Sequence, residues 1–233
     1  MKISALGLPE INPGKHNVKD FRLDEVDSIT HAKKKTYIQV EVTGEQGAID
    51  ADALLTAKDS AADLILKDLE FVETRLARSA DEAEKTLFNK LKGILEKERF
   101  IFNAGLAEEE KKELIKYGLL TAKPVIAAEV KDLEDKNALL LQALKEGGFI
   151  SFFTTGEKET RAWLIRKGAN AWEASGAIHS DIQQGFIRAE IIAFKDFMEC
   201  GGENKAKQAG KMRLEPKEYI MQDCDLANFR FNK

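Results

Sequence analysis

The sequence predicts an α+β chain in three unequal parts: a small parallel α/β unit, an antiparallel helical hairpin, and a C-terminal β-grasp (ubiquitin-like) domain. Three observations carry this. Of 18 aromatic residues, 11 fall in 149–233, together with 7 of the 16 glycines, the composition of a turn-rich unit with its own core. Residues 55–120 contain no proline and are rich in Ala, Leu, Glu and Lys. Two short apolar runs flank that stretch, one alternating and one continuous, as half-buried and fully buried strands do.

At the front, Lys2 to Leu6 reads as a first strand, Tyr37–Val42 alternates as a second, and Pro124–Ala128 as a third. The three form a parallel sheet, with the helical material between them as crossovers. Ile65, Leu69, Val72 and Leu76, then Leu87, Leu91, Ile94 and Leu95, put a narrow apolar stripe on each of two helices that cover one another. Ser79, with Glu82 three residues on, predicts the N-cap of the second. A third helix follows at about 107–117 and a fourth at 133–146, ending at Gly147-Gly148. In the C-terminal part, strands are expected at 149–154, 161–165 and 185–192, and a helix at 171–178. A hairpin is expected of Tyr219–Met221 with Leu226–Phe231, closed by 222–225.

The 233 residues carry a net charge of −4, which excludes a strongly basic nucleic-acid coat as a description of the whole chain. Two cysteines, Cys200 and Cys224, make no disulfide framework and point to the cytoplasm. No run is long and apolar enough to span a membrane, and the first residues are too short an apolar run for a leader. His16, His31 and His179 have no metal-ligand spacing, so no metal site and no catalytic residue is assigned. The segment from Gly7 to His16 follows a strand and holds a Gly-Lys pair. A phosphate loop has four residues between its glycines and Ser or Thr after the Lys. Here six residues separate Gly7 from Gly14, Pro13 removes a donor, and His16 follows Lys15, so an ordinary strand-to-helix turn is expected.

Phe152-Phe153-Thr154-Thr155-Gly156-Glu157-Lys158-Glu159-Thr160-Arg161-Ala162-Trp163 resembles the start of the C-terminal TGS domain of the Obg-like ATPases of the YchF type. So do Gly176–Asp181, Gly185–Glu190, Lys211–Glu215 and Tyr219–Phe231, with Cys224 standing where the family's turn has Gly. Upstream, Asp68–Leu76 resembles the start of the family's coiled-coil arm, and Arg22-Leu23-Asp24 and Lys33-Lys34-Lys35-Thr36 resemble further landmarks. Leu119–Val125 resembles the entry to the base-recognition motif, where the family's Asn-x-x-Glu is replaced by Glu129-Val130-Lys131-Asp132. Glu41-Val42-Thr43-Gly44 stands in place of Asp-x-x-Gly, without the glycine-rich switch after it.

The resemblance implies a truncated P-loop NTPase-like α/β remnant over 1–54 and 121–148, a helical coiled-coil arm over 55–120, and an intact TGS β-grasp domain over 149–233. It implies a non-hydrolysing binding or regulatory protein associated with ribosome, RNA or translation machinery. Vestigial nucleotide-binding positions are Gly7, Gly14, Lys15, Glu41 and Gly44. Candidate RNA or partner contacts are Arg161, Arg166, Lys167, His179, Arg188, Lys211, Arg213 and Arg230, with solvated sheet-face charge as the plain alternative. No cofactor is expected. The competing readings are an atypical protein that still binds ATP or GTP with Mg²⁺ through Lys15, and an interaction module that captures a protein partner on its helical arm.

Overall fold

The computed structural model describes residues 1–232; Lys233, the last residue of the expected C-terminal part, lies outside them. In chain order the first elements are β1 (Lys2–Leu6), β2 (Gly14–Val18), α1 (Phe21–Thr30), β3 (Lys35–Thr36), β4 (Ile38–Thr43) and β5 (Ala53–Ala57). Next come α2 (Ala61–Arg78), α3 (Glu82–Leu95), α4 (Glu108–Leu114), β6 (Val125–Ala128), α5 (Lys136–Glu146), β7 (Phe149–Thr154) and β8 (Thr160–Arg166). The chain ends with α6 (Ala171–Ile178), α7 (Ser180–Gln184), β9 (Phe186–Ile192), α8 (Phe194–Cys200), α9 (Glu203–Gln208), β10 (Arg213–Glu215) and β11 (Leu226–Phe231). Two compact units result: 1–16 with 40–147, and 17–39 with 148–233.

The first unit is built on the sheet ordered β2-β4-β1-β5-β6, in which β1 is parallel to β4 and β5, and β5 is parallel to β6. The expected parallel sheet is present, with β5 as an unforeseen central strand. Its Ala-Leu-Leu-Thr-Ala reads as helix-forming material, yet Ala53, Leu54, Leu55 and Thr56 are all fully buried, as a strand covered on both faces must be. β4 and β5 lie on opposite sides of β1. Nine residues, 44–52, join them with only a short 3₁₀ turn at Glu45–Gly47.

Helices α2 and α3 double back on one another, burying Ile65 and Val72 against Phe88, Leu91 and Leu95. Ion pairs Arg75–Glu84 and Lys92–Glu73 cross between them. The second helix begins two residues later than expected. Its N-cap is Asp81, whose carboxylate accepts from the Ala83 and Glu84 amides, because Ser79 spends its hydroxyl on Glu84. The third expected helix is shorter than predicted, α4 followed by a 3₁₀ turn at Ile115–Tyr117. Similarly, a 3₁₀ segment at Val130–Asp135 precedes α5.

The second unit carries the sheet ordered β10-β9-β11-β7-β8-β3. β7 and β8 are antiparallel, as are β9 and β11, while β11 meets β7 in parallel through Leu226 and Phe153. Phe152, Ala171, Ala174, Ile191 and Phe229 form its core. The expected hairpin of 219–221 with 226–231 is not formed. Residues 219–221 instead run beside 169–171, with the Met221 amide donating to Ala169 O and the Ala171 amide to Tyr219 O. The 222–225 turn is fastened to β7: Cys224 N–H donates to Ser151 O at 2.7 Å and Phe153 N–H to Asp225 O at 2.8 Å. Those bonds satisfy the turn without a hairpin partner. Residues 17–39 complete the unit, with β3 parallel to β8 and the Thr160 amide donating to Lys34 O.

In the first unit a buried carboxylate has a clear structural task. Asp68 on α2 is 4% exposed and accepts from the Leu120 amide (3.0 Å), the Thr121 amide (2.7 Å) and the Thr121 hydroxyl (2.7 Å). Burial pushes its pKa up in spite of these donors. Asp68→Ala orphans two backbone donors and a hydroxyl; urea unfolding is expected to show a loss of about 2–4 kcal/mol.

Candidate functional site

In a parallel α/β sheet the ligand site lies past the carboxyl ends of the strands. The segment after β1 starts with Gly7 at φ +64, then folds into a closed turn. Ile11 N–H donates to Leu8 O at 3.1 Å, and the Leu8 and Ile11 side chains are buried at 6% and 2% exposure. Lys136 Nζ donates to Glu10 O at 2.7 Å, and His16 Nε2 to Asn12 O at 2.7 Å. Gly14, at φ +134, then opens β2, so Lys15 and His16 are strand residues. The expected strand-to-helix turn is therefore a strand-to-strand connection, and the first helix after β1 begins only at Phe21. A phosphate loop works by handing its strand directly to a helix N-terminus, whose amides and dipole face the phosphates. Here that helix does not follow the turn.

The remaining sequence-predicted nucleotide positions are spread along the sheet. Glu41 is level with Lys2 in the β1–β4 register, which puts it about 16 Å along the strand direction from Gly7. Gly44 closes β4, with its carbonyl accepting from Ser4 Oγ at 2.9 Å. Lys15 lies on β2, two strand spacings or about 10 Å across from β1. Gly44 therefore lies at the same strand-end edge as Gly7, while Glu41 sits at the other end of the strands and Lys15 two strands across. Past β6, Glu129 is clamped between Lys58 at 2.6 Å and Lys131 at 2.9 Å. These ammonium groups hold its carboxyl down to about 2. Lys58 was not singled out from the sequence, because nothing local links residues 71 positions apart.

In the second unit most candidate cations already have partners. The Arg161 guanidinium stacks over Trp163 at 3.9 Å and Arg166 over Phe149 at 4.2 Å. Lys211 pairs with Asp196 at 3.0 Å. Arg230 binds Glu190, itself only 7% exposed. Arg213 donates to Tyr219 Oη at 3.0 Å and approaches Glu215 at 3.5 Å. Tyr219 in turn donates to Asp225, and burial pushes its phenol up to about 12. His179 caps α7, its Nδ1 accepting from the Asp181 amide at 3.1 Å. Among the described residues, Lys167 and Arg188 are exposed and have no carboxylate partner. Arg188 stands directly across from Arg230 on the neighbouring strand.

Sequence reasoning also missed a charged node in this unit. Asp20, 3% exposed, caps α1 through the Arg22 amide and accepts from the Arg22 guanidinium at 2.7 Å. Arg22 also donates to Asp223 at 2.6 Å, and Asp223 accepts from the Ser151 amide at 3.1 Å. The hydrogen bonds it donates to Asp20 raise the Arg22 pKa further above its ordinary value. Next to this node sits Cys224, at φ +66 and 2% exposed, its thiol pushed up by burial.

The C-terminal part matches the YchF-GTPase_C family, described as a protein of unknown function (DUF933), over residues 149–232. The chain is 31% identical over 274 positions to the ribosome-binding ATPase YchF of Bacillus subtilis, covering 89% of this chain and 74% of that relative. The chain belongs to the YchF family of Obg-like ATPases. The same comparison with YchF of Escherichia coli O157:H7 gives 55% identity over 82 residues, 35% of this chain and 23% of that one. Identity therefore concentrates in a segment of C-terminal-domain size. The solved Schizosaccharomyces pombe YchF GTPase shares the fold, with a TM-score of 0.75, 21% identity, and coverage of 96% of this chain and 89% of that one.

Two outcomes follow from this YchF-family geometry. A side-chain NMR titration should find the Glu129 carboxyl titrating near 2, well below the ordinary 4.5, and Lys58→Ala should move it upward. The clamp's contribution is then present above pH 4.5 and lost as pH falls through about 2. At position 224, Cys224→Val should lower stability more than Cys224→Gly, because a β-branched residue is a poor occupant of left-handed backbone and glycine a free one. Equal thermal midpoints for the two variants would show that φ does not constrain this turn.

Proposed function

We propose that this YchF-family chain is a non-hydrolysing binding or regulatory protein that meets the ribosome through its C-terminal part. The observation that carries the first half is the connection after β1, a closed turn into a strand where a working phosphate loop needs a helix. The names of its relatives, which call them ribosome-binding ATPases, support the second half. In this reading 149–233 is a TGS domain of β-grasp type, 55–120 a coiled-coil arm, and 1–54 with 121–148 a shortened NTPase-like remnant. The protein works in the cytoplasm and needs no nucleotide or metal. Arg161, Arg166, Lys167, His179, Arg188, Lys211, Arg213 and Arg230 are the proposed contact surface. Lys167 and Arg188 lead it, since both are exposed and unpaired among the described residues.

Phosphate contacts make RNA affinity fall with salt. The chain should therefore pellet with ribosomes at roughly 50 mM salt and release as salt rises to roughly 200 mM. Lys167→Glu and Arg188→Glu should weaken pelleting more than Lys211→Glu, whose ammonium is already held by Asp196. Failure to pellet at low salt would sink the ribosome assignment.

The family membership favours a second reading, residual binding of ATP or GTP with Mg²⁺ through Lys15. Calorimetry with each nucleotide decides it. Heat that saturates and disappears in Lys15→Ala would replace the first reading with this one. A third role, capture of a protein partner on the arm, draws on Leu66 and Phe71, which α2 leaves 60% and 40% exposed.

A further inference from the structure

Between the β4–β5 connection and the segment 101–123, the first unit has an apolar cavity of about 470 Å³. Ile101, Leu106 and Leu114 supply buried wall, while Ile49, Phe102 and Ile115 line it at 68%, 40% and 80% exposure. Its origin is topological. A parallel crossover ordinarily brings a helix across the sheet, and the connection from β4 to β5 has only nine residues and one 3₁₀ turn. That connection carries Ile49, Asp50 and Ala51 to the cavity and nothing larger.

Of the charged groups in the lining, Asp50, Lys111 and Lys123, the last sets what the cavity accepts. Lys123 is half-buried, and its ammonium donates to Ala48 O at 2.7 Å and to Ile49 O. Both acceptors are neutral. Among the described residues no carboxylate reaches ion-pair distance of Lys123; Asp50, Asp52 and Asp68 act on it only through space. An ammonium has three donors, so one remains for a guest. Burial lowers the Lys123 pKa, as it does for a cation without a counter-ion. The other cation in the lining, Lys111, is exposed and pairs with Glu108 at 2.7 Å. The charged groups of the lining are thus Lys123, the exposed and paired Lys111, and Asp50 on the β4–β5 connection, and largely apolar walls with a few such groups are the ordinary make-up of a small-molecule site.

We propose that this cavity binds a small amphiphilic anion, an apolar chain or ring carrying one carboxylate, with the carboxylate on Lys123. The site is separate from the ribosome contact and from the strand ends past β1, and it holds whether or not the chain binds ribosomes.

Decanoate and 1-decanol, titrated separately into the full chain and followed by protein NMR shifts, test it. Decanoate should bind once, with shifts at Ile101, Leu114 and Lys123, about tenfold tighter than decanol, the worth of one charge-assisted hydrogen bond. Lys123→Met should bring the two affinities together while leaving the apolar guest bound. Ile115→Glu, on an exposed side chain that folding does not need, should weaken decanoate more than decanol. Equal affinities in the unaltered protein would overturn the proposal, as would no saturable decanoate binding or a decanoate preference that survives Lys123→Met. Sedimentation showing that a second copy fills the cavity would overturn it too.

Discussion

Parallel strands have to be joined by chain that travels back along the sheet, and the first unit is organised by how cheaply it meets that requirement. From β1 the chain leaves through a closed turn and β2 and returns only at β4, with residues 17–39 belonging to the second unit in between. From β4 it reaches β5 in nine residues. Only the connection from β5 to β6 is generous, and it carries α2, α3 and α4. The helices packed into this unit are therefore supplied by the connection from β5 to β6 and by the segment after β6. In the comparison with the Bacillus subtilis relative, the 274 aligned positions take in only 89% of the 233 residues here, so about a quarter of the columns have no counterpart in this chain. The missing positions fall inside the alignment.

What is left at the strand ends is charge that satisfies itself. Glu129 stands in the segment that resembles the family's base-reading motif, and it sits between two lysines. In the second unit the same economy holds for Arg230 with Glu190 and Lys211 with Asp196. Cations already engaged in this way are poor electrostatic footprints, because a phosphate has to displace the partner before it gains anything. Lys167 and Arg188 differ in that no carboxylate among the described residues needs displacing.

Much of the architecture could be read from the residues. The alternation at 37–42, the paired stripes of the hairpin and the strands of the C-terminal part all reflect local periodicity, which survives folding intact. Asp68 lies on the same four-residue spacing as Leu64 and Val72, so a carboxylate on a buried face was visible in the pattern, though its partners at 120 and 121 were not. β5 was lost because its composition favours helix and only the neighbours on both sides make it a strand. The 219–221 hairpin failed for the opposite reason. Its turn residues are right for a turn, but the hydrogen bonds go to β7, a partner some 70 residues away that no local rule identifies.

The candidate site was legible in a narrower sense. That the Gly7–Lys15 spacing is wrong for phosphate could be counted, but why it is wrong required the fold. Gly14 and Lys15 resemble the end of a phosphate loop only as letters; in space they begin an edge strand, and the apolar side chains of Leu8 and Ile11 fill the turn ahead of them. Conversely, the apolar cavity near Lys123 left no trace in any motif. It arises from a connection that is too short to bring a helix, combined with a lysine whose two neutral acceptors lie on that same connection. A crossover too short to carry a helix thus leaves apolar surface on a parallel sheet that the protein has to leave wet, fill from within, or put to use.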